Sequence, residues 1–168
     1  MVQKIKQISL LLVFFSLASC SYFKKDAAIK YNNVIVEIQS HILTRMDAFS
    51  QSFGATDSVK IATELEALKS TLDSSISATK ALKGFNGSTN LRDAAIQLFE
   101  FYQITAVNDY VELINIFKKD DFSEADKAKV DEINARIGKE EGPYDEALQK
   151  AQEELANTYH FKMDDSKK

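Results

Sequence analysis

Apolar residues recur along most of this chain at helical spacing, in four long runs separated by short stretches rich in glycine, asparagine and serine. The first run goes from about Asp26 to Phe53, where Tyr31, Ile35, Ile38, Ile42, Met46, Phe49 and Phe53 step by four and three up to Gly54. That spacing predicts one amphipathic helix ended by a glycine. The second opens near Asp57 or Ser58, carries Ile61, Leu65, Leu68, Leu72, Ile76, Thr79 and Leu82 on one face, and closes at Gly84. Phe85-Asn86-Gly87-Ser88-Thr89 then reads as a turn-rich link, with Asn90 as the expected cap of the next helix.

The third run, Leu91 to about Phe117, is apolar over a wider arc. Leu91, Ala95, Leu98, Tyr102, Ala106, Tyr110, Leu113 and Phe117 form one stripe, flanked by Phe99, Phe101, Ile104, Val107, Val111 and Ile114. This helix should be the most buried of the four or should offer an apolar flank to a partner. Ser123-Glu124-Ala125-Asp126 resembles a capping box and starts the fourth helix, in which Val130, Ile133, Ile137, Tyr144, Leu148, Ala151, Leu155 and Tyr159 hold one register. Gly142-Pro143 interrupts it, and since Ile137 and Tyr144 keep the same face the expectation is a kink or brief break between collinear pieces. Four helices with short links favour antiparallel neighbours. The expected fold is therefore all-α: an antiparallel up-down-up-down four-helix bundle over residues 26–163, with a loose tail at 164–168.

The first 20 residues follow a different pattern. Lys4 and Lys6 make a positive start, Ile8 to Leu17 is almost wholly apolar, and Leu17-Ala18-Ser19 leads into Cys20, the single cysteine. An apolar core of about ten residues is half of what a bilayer-spanning helix needs, so a removed signal peptide at 1–19 is expected in place of a membrane helix. Leu17-Ala18-Ser19-Cys20 resembles the lipobox of bacterial lipoprotein precursors. The resemblance implies that Cys20 becomes the first mature residue, its sulfur alkylated with diacylglycerol and its amine acylated, with 20–25 as a lipidated tether. Several acyl chains at about 0.8 kcal/mol per buried methylene would hold it on a membrane stably. Ser21 in place of an aspartate implies, by the sorting rule known for part of that family, the outer membrane, on its periplasmic face or at the cell surface. Tyr31-Asn32-Asn33 at the start of the first helix also resembles helical surface lipoproteins of uncharacterised function, which bring no catalytic residues to this chain.

Removing residues 1–19 takes away Lys4 and Lys6 and no acid, changing the formal charge from −4 to −6. An acidic chain of interspersed sign argues against nucleic acid as a partner, since that binding needs clustered lysine and arginine. One cysteine allows no internal disulfide. Metal and haem chemistry find no support: there is no Glu-x-x-His or Cys-x-x-Cys-His, and His41 and His160 should lie roughly 16 Å apart along the bundle. No cofactor is expected. The Gly-x-Ser-x-Gly nucleophile signature is lacking too, and the paired acids Asp120-Asp121, Glu140-Glu141 and Glu153-Glu154 read as helix-end and surface charges.

The sequence therefore points to a non-enzymatic, lipid-anchored envelope protein, attached to the membrane through Cys20 and serving as a binding or scaffold module for a protein partner. The alternative is a bundle that encloses a small ligand or substrate, with Tyr102, Asn108 and Tyr110 near its lining. A scaffold should expose aromatic residues, with Phe99, Phe101 or Phe122 as candidates, whereas a ligand binder should hold a cavity with convergent polar groups. A third reading has these aromatics simply filling the core.

Overall fold

The computed structural model describes the backbone of residues 2–55, 58–119 and 121–163, and the side chains of 24–54, 59–119 and 121–163. Four α-helices follow in order: α1 Val2–Ser52, α2 Ser58–Ala81, α3 Asn90–Phe117 and α4 Glu124–Tyr159, with a short 3-10 turn, Phe53–Ala55, after α1. Each packs against its chain neighbour and α4 closes back on α1, giving an antiparallel up-down-up-down four-helix bundle. No helix among the described residues is long and apolar enough to cross a membrane. The Cys20 side chain and the tail at 164–168 lie outside the described residues.

The core is built from the predicted stripes. Ile35, Ile42 and Phe49 of α1, Leu65, Leu68 and Leu72 of α2, Leu98, Phe99, Tyr102 and Ala106 of α3, and Leu148 and Ala151 of α4 make one continuous apolar cluster. Each fully buried aliphatic or aromatic side chain contributes on the order of 1.5–3 kcal/mol. α3 sits between α2 and α4 and holds the most buried residues, yet Ile104 and Val107 stand 60% and 51% exposed on its outer face. The wide apolar arc of α3 thus supplies both a core face and an outward flank.

Helix ends depart from the sequence reading in four places. α1 runs as helix through 20–25, where a tether is expected, in a stretch with no glycine or proline before Gly54. α2 ends at Ala81, three residues before Gly84. Asn90 is the first residue of α3, not its cap: Thr89 holds that position without capping an N–H. Hydrogen bonds from the Thr89 side chain and then from Arg92 hold the Asp93 carboxyl below the usual range, so the Thr89 hydroxyl is directed to Asp93. Finally, α4 is unbroken across Gly142-Pro143. The missing N–H of Pro143 removes one bond of the ladder, while Gly142 offers no Cβ to clash with the proline ring.

The predicted start of α4 is present as a reciprocal capping box. Ser123 Oγ accepts from Asp126 N at 3.2 Å, and Ser123 N donates to Asp126 Oδ2 at 3.1 Å. Lys119 pairs with the same carboxylate, and the bonds from Lys119 and Ser123 together draw the Asp126 carboxyl down to about 2. At the other end His160 adopts the left-handed conformation (φ 55°, ψ 47°), Phe161 N donates to Ala156 O at 3.1 Å, and Phe161 packs on Ala156. Those three features are a Schellman stop.

Candidate functional site

The helix order brings two sets of helix ends together, one at each pole of the bundle. At the pole formed by the start of the described part of α1 and the end of α4, Phe85-Asn86-Gly87-Ser88 folds over the helices as a tight turn. Asn86 and Gly87 both have positive φ (48° and 87°) and Ser88 N donates to Phe85 O at 3.0 Å, which makes it a type I′ turn. Asparagine and glycine are the residues that tolerate that backbone. The turn folds so closely on the residue before it that a Cβ on Gly84 would stand 2.6 Å from Ser88 O. Asn86 Nδ2 donates to Tyr159 Oη at 2.8 Å, fixing the turn to the end of α4. Phe85 is thereby set between Tyr31 (ring centroids 5.4 Å apart) and Tyr159 (5.0 Å, edge to face). These rings wall a cavity of about 150 Å³ that reaches down to Leu91 and Ala151.

At the opposite pole a run of five rings leads from the core to the surface. Phe49 meets Tyr110 at 4.9 Å and Phe53 at 5.1 Å, Phe53 meets Phe117 at 5.0 Å, and Phe117 stacks on Phe122 at 5.5 Å. Phe49 is 3% exposed, whereas Phe117 and Phe122 are 44% and 47% exposed. Beside this run lies a groove of about 280 Å³ between α1, α3 and α4, bounded by Met46, Phe49, Tyr110, Phe117, Val130 and Asn134. Burial, and then the negative charges of Glu141 and Asp109, push the Tyr110 hydroxyl up to about 12.

A third recess runs between α1 and α2 along His41, Thr44, Arg45, Thr71 and Ser74. Its hydroxyl protons are used within their own helices: Thr44 donates to Ser40 O, Thr71 to Ala67 O and Ser74 to Thr71 O. No polar group is thereby aimed across the recess by these three side chains.

The three residues singled out on α3 do not converge. Tyr102 is buried and donates its hydroxyl to Glu141 Oε1 at 2.7 Å. Burial, followed by that bond and the charge of Glu141, raises its pKa strongly. Tyr110 borders the groove, and Asn108 is exposed on the outer face. Its neighbour Asp109 is the buried member of that polar group and accepts from Arg136 Nη2 at 2.7 Å, tying α3 to α4. Of the aromatics expected to be exposed, Phe99 (0%) and Phe101 (8%) belong to the core and Phe122 alone is at the surface. Periodicity placed Phe99 and Phe101 beside the main stripe, but α2 and α4 flank α3 closely enough to cover both.

The residues that sequence reasoning passed over are Phe85 and Tyr159, which form the first cavity with Tyr31. The signal available for them was Asn86-Gly87, the dipeptide that most strongly favours a type I′ turn. The Tyr31-Asn32-Asn33 group does carry unusual burial: Asn32 is completely buried, and neither its amide nitrogen nor its oxygen has a hydrogen-bond partner among the described residues. Among those residues, no three His, Cys, Asp or Glu side chains are grouped to hold a metal ion.

No protein-family model, curated protein or solved structure matches this chain.

Proposed function

We propose that this chain is a lipid-anchored bacterial envelope protein, held to a membrane through acylated Cys20 and working as a non-enzymatic binding module for a protein partner. Support for the anchor is the order of charge, apolar run and small residues that ends in Leu17-Ala18-Ser19-Cys20. The binding role rests on one observation, the run of rings that surfaces at Phe117 and Phe122 beside the distal groove. α1 runs from the first feature to the foot of the second at Phe49, and Cys20 and Ser52 are separated along it by roughly 48 Å at 1.5 Å per residue. An anchor at one end would therefore hold the aromatic pole well clear of the lipid surface. Exposed aromatic pairs of this kind serve as anchors at protein interfaces.

The anchor is tested by Cys20→Ala, expected to release the protein from membranes or to leave an uncleaved precursor; unchanged fractionation and mature mass defeat it. For the binding surface, a photoreactive phenylalanine analogue is placed at position 122 and, as a control, at exposed Lys150. A discrete adduct in intact cells from position 122 alone is the expected result, and none from 122 overturns the reading. A second reading, a small apolar ligand held between helices, is favoured by the size of the distal groove and by Tyr110 on its wall. Native mass spectrometry of the purified protein separates the two, since a retained small molecule lost on Tyr110→Ala supports the second.

A further inference from the structure

The cavity under the Asn86-Gly87 turn has chemistry that the distal groove lacks. Its floor is apolar, with Leu91 and Ala151 buried; its walls are the rings of Tyr31, Phe85 and Tyr159; and its rim carries the Glu154 carboxylate. No lysine or arginine is among its lining residues. A cavity of about 150 Å³ is the size that admits a benzene-sized guest. Phe85 and Tyr159 pack edge to face at an interplanar angle of 83°, Tyr31 lies tilted 32° to Phe85, and all three rings line the cavity. The negative faces of aromatic rings attract a cation placed within about 6 Å of their centroids, and more strongly when the cation is weakly hydrated.

From this arrangement we infer that the cavity is a binding site for a small organic cation, a quaternary or highly substituted ammonium group caged by Tyr31, Phe85 and Tyr159 and balanced by Glu154. Arg92 is a positive charge felt by Tyr31, but it is itself engaged: its guanidinium bonds Asp93 Oδ1 at 2.7 Å and Leu82 O at 3.2 Å. The walls are also held in advance. The positive-φ turn fixes Phe85, and the 2.8 Å bond from Asn86 fixes Tyr159, so little ordering is required when the guest enters. This site depends neither on lipidation of Cys20 nor on the distal groove.

The test is a calorimetric titration of the full-length protein, in a maltoside detergent, with choline and with its neutral isostere 3,3-dimethyl-1-butanol. Saturable choline binding is expected, at least about tenfold tighter than that of the neutral alcohol, because charge and not shape is recognised. Glu154→Gln, an exposed position that leaves the fold intact, should weaken choline by about fivefold. Phe85→Leu, which keeps apolar bulk but removes the π face, should weaken it by about tenfold. Monomeric dihexanoylphosphatidylcholine completes the series: binding as tight as choline assigns a lipid headgroup, and binding of choline alone assigns a free quaternary ammonium solute. Equal affinity for choline and the neutral alcohol, or no saturable binding of any of the three, overturns the proposal.

Discussion

The two poles of this bundle are closed by opposite means. Near Tyr31 the chain uses backbone geometry: a positive-φ turn, a glycine under it and one side-chain hydrogen bond hold three rings around a small cavity with a polar rim. At the other pole it uses side-chain mass, five rings in sequence from a buried phenylalanine to a half-exposed one, bordering a groove about twice as large. The difference teaches that rigidity and exposure are separable. The first pole can select a guest by shape and charge because its walls are fixed, whereas the second offers apolar area whose outer rings carry little of the fold's stability.

That contrast is most directly broken at Phe49. Phe49→Ala should cost about 3–5 kcal/mol in denaturant unfolding, while Phe122→Ala costs less than about 1 kcal/mol. Similar losses would show that the outer ring is as structural as the inner one. Alkaline titration comes next in size. The Tyr110 hydroxyl ionises near pH 12 in the folded chain against an ordinary value of 10, so its contribution, about 2–3 kcal/mol, is present below pH 10 and lost as pH rises to about 12. Tyrosinate absorbance should show Tyr110 ionising together with unfolding, and Tyr110→Phe should remove that component.

At the first pole, Gly84→Ala drives a Cβ against the Ser88 carbonyl and should cost about 1–3 kcal/mol. A neutral result would mean that the turn is not held down by close backbone approach. Ser123→Ala deletes the capping box beside the second pole and should lower stability by about 1 kcal/mol. It should also raise the Asp126 pKa from about 2 towards its ordinary value. Because that carboxyl is depressed in the folded chain, its contribution is present above pH 4 and lost as pH falls to about 2, and in the variant the loss is smaller and ends at a higher pH. The smallest effect is a gain. Gly138 lies within α4 with open space where a Cβ would go, so Gly138→Ala should stabilise by about 0.5–1 kcal/mol, read from the thermal midpoint.

The bundle was legible because its information is periodic. Ile35, Leu68 and Leu98 repeat at helical spacing, and each is fully buried. Ser123 and Asp126 were legible as well, since a capping box lies within four residues. Asn90 was misread as a cap because the choice between Asn90 and Thr89 turns on one backbone hydrogen bond, Asp93 N to Thr89 O at 2.8 Å, whose position spacing fixes only to within a residue or two. Gly142-Pro143 was read as a kink or brief break because local propensity disfavours helix there, and the helix is not broken. Packing of α4 on both sides of it, through Ile133 and Leu148, overrides that preference. The first cavity was hidden for another reason: Tyr31, Phe85 and Tyr159 are 54 and 74 residues apart and meet only once the helix order is fixed. Asn108 was chosen over Asp109 although the two are adjacent, because their 100° separation decides which one faces α4.

The continuity of α4 links the two ends mechanically. Val130 and Asn134 border the distal groove, Glu154 and Tyr159 border the ring-walled cavity, and the same uninterrupted helix carries all four over roughly 44 Å. Pro143 lies within that span, at the one place where the helix lacks a backbone donor. Guests at the two ends would thus share one helix, and any free energy by which one eases or opposes the other would, by thermodynamic reciprocity, be the same in both directions.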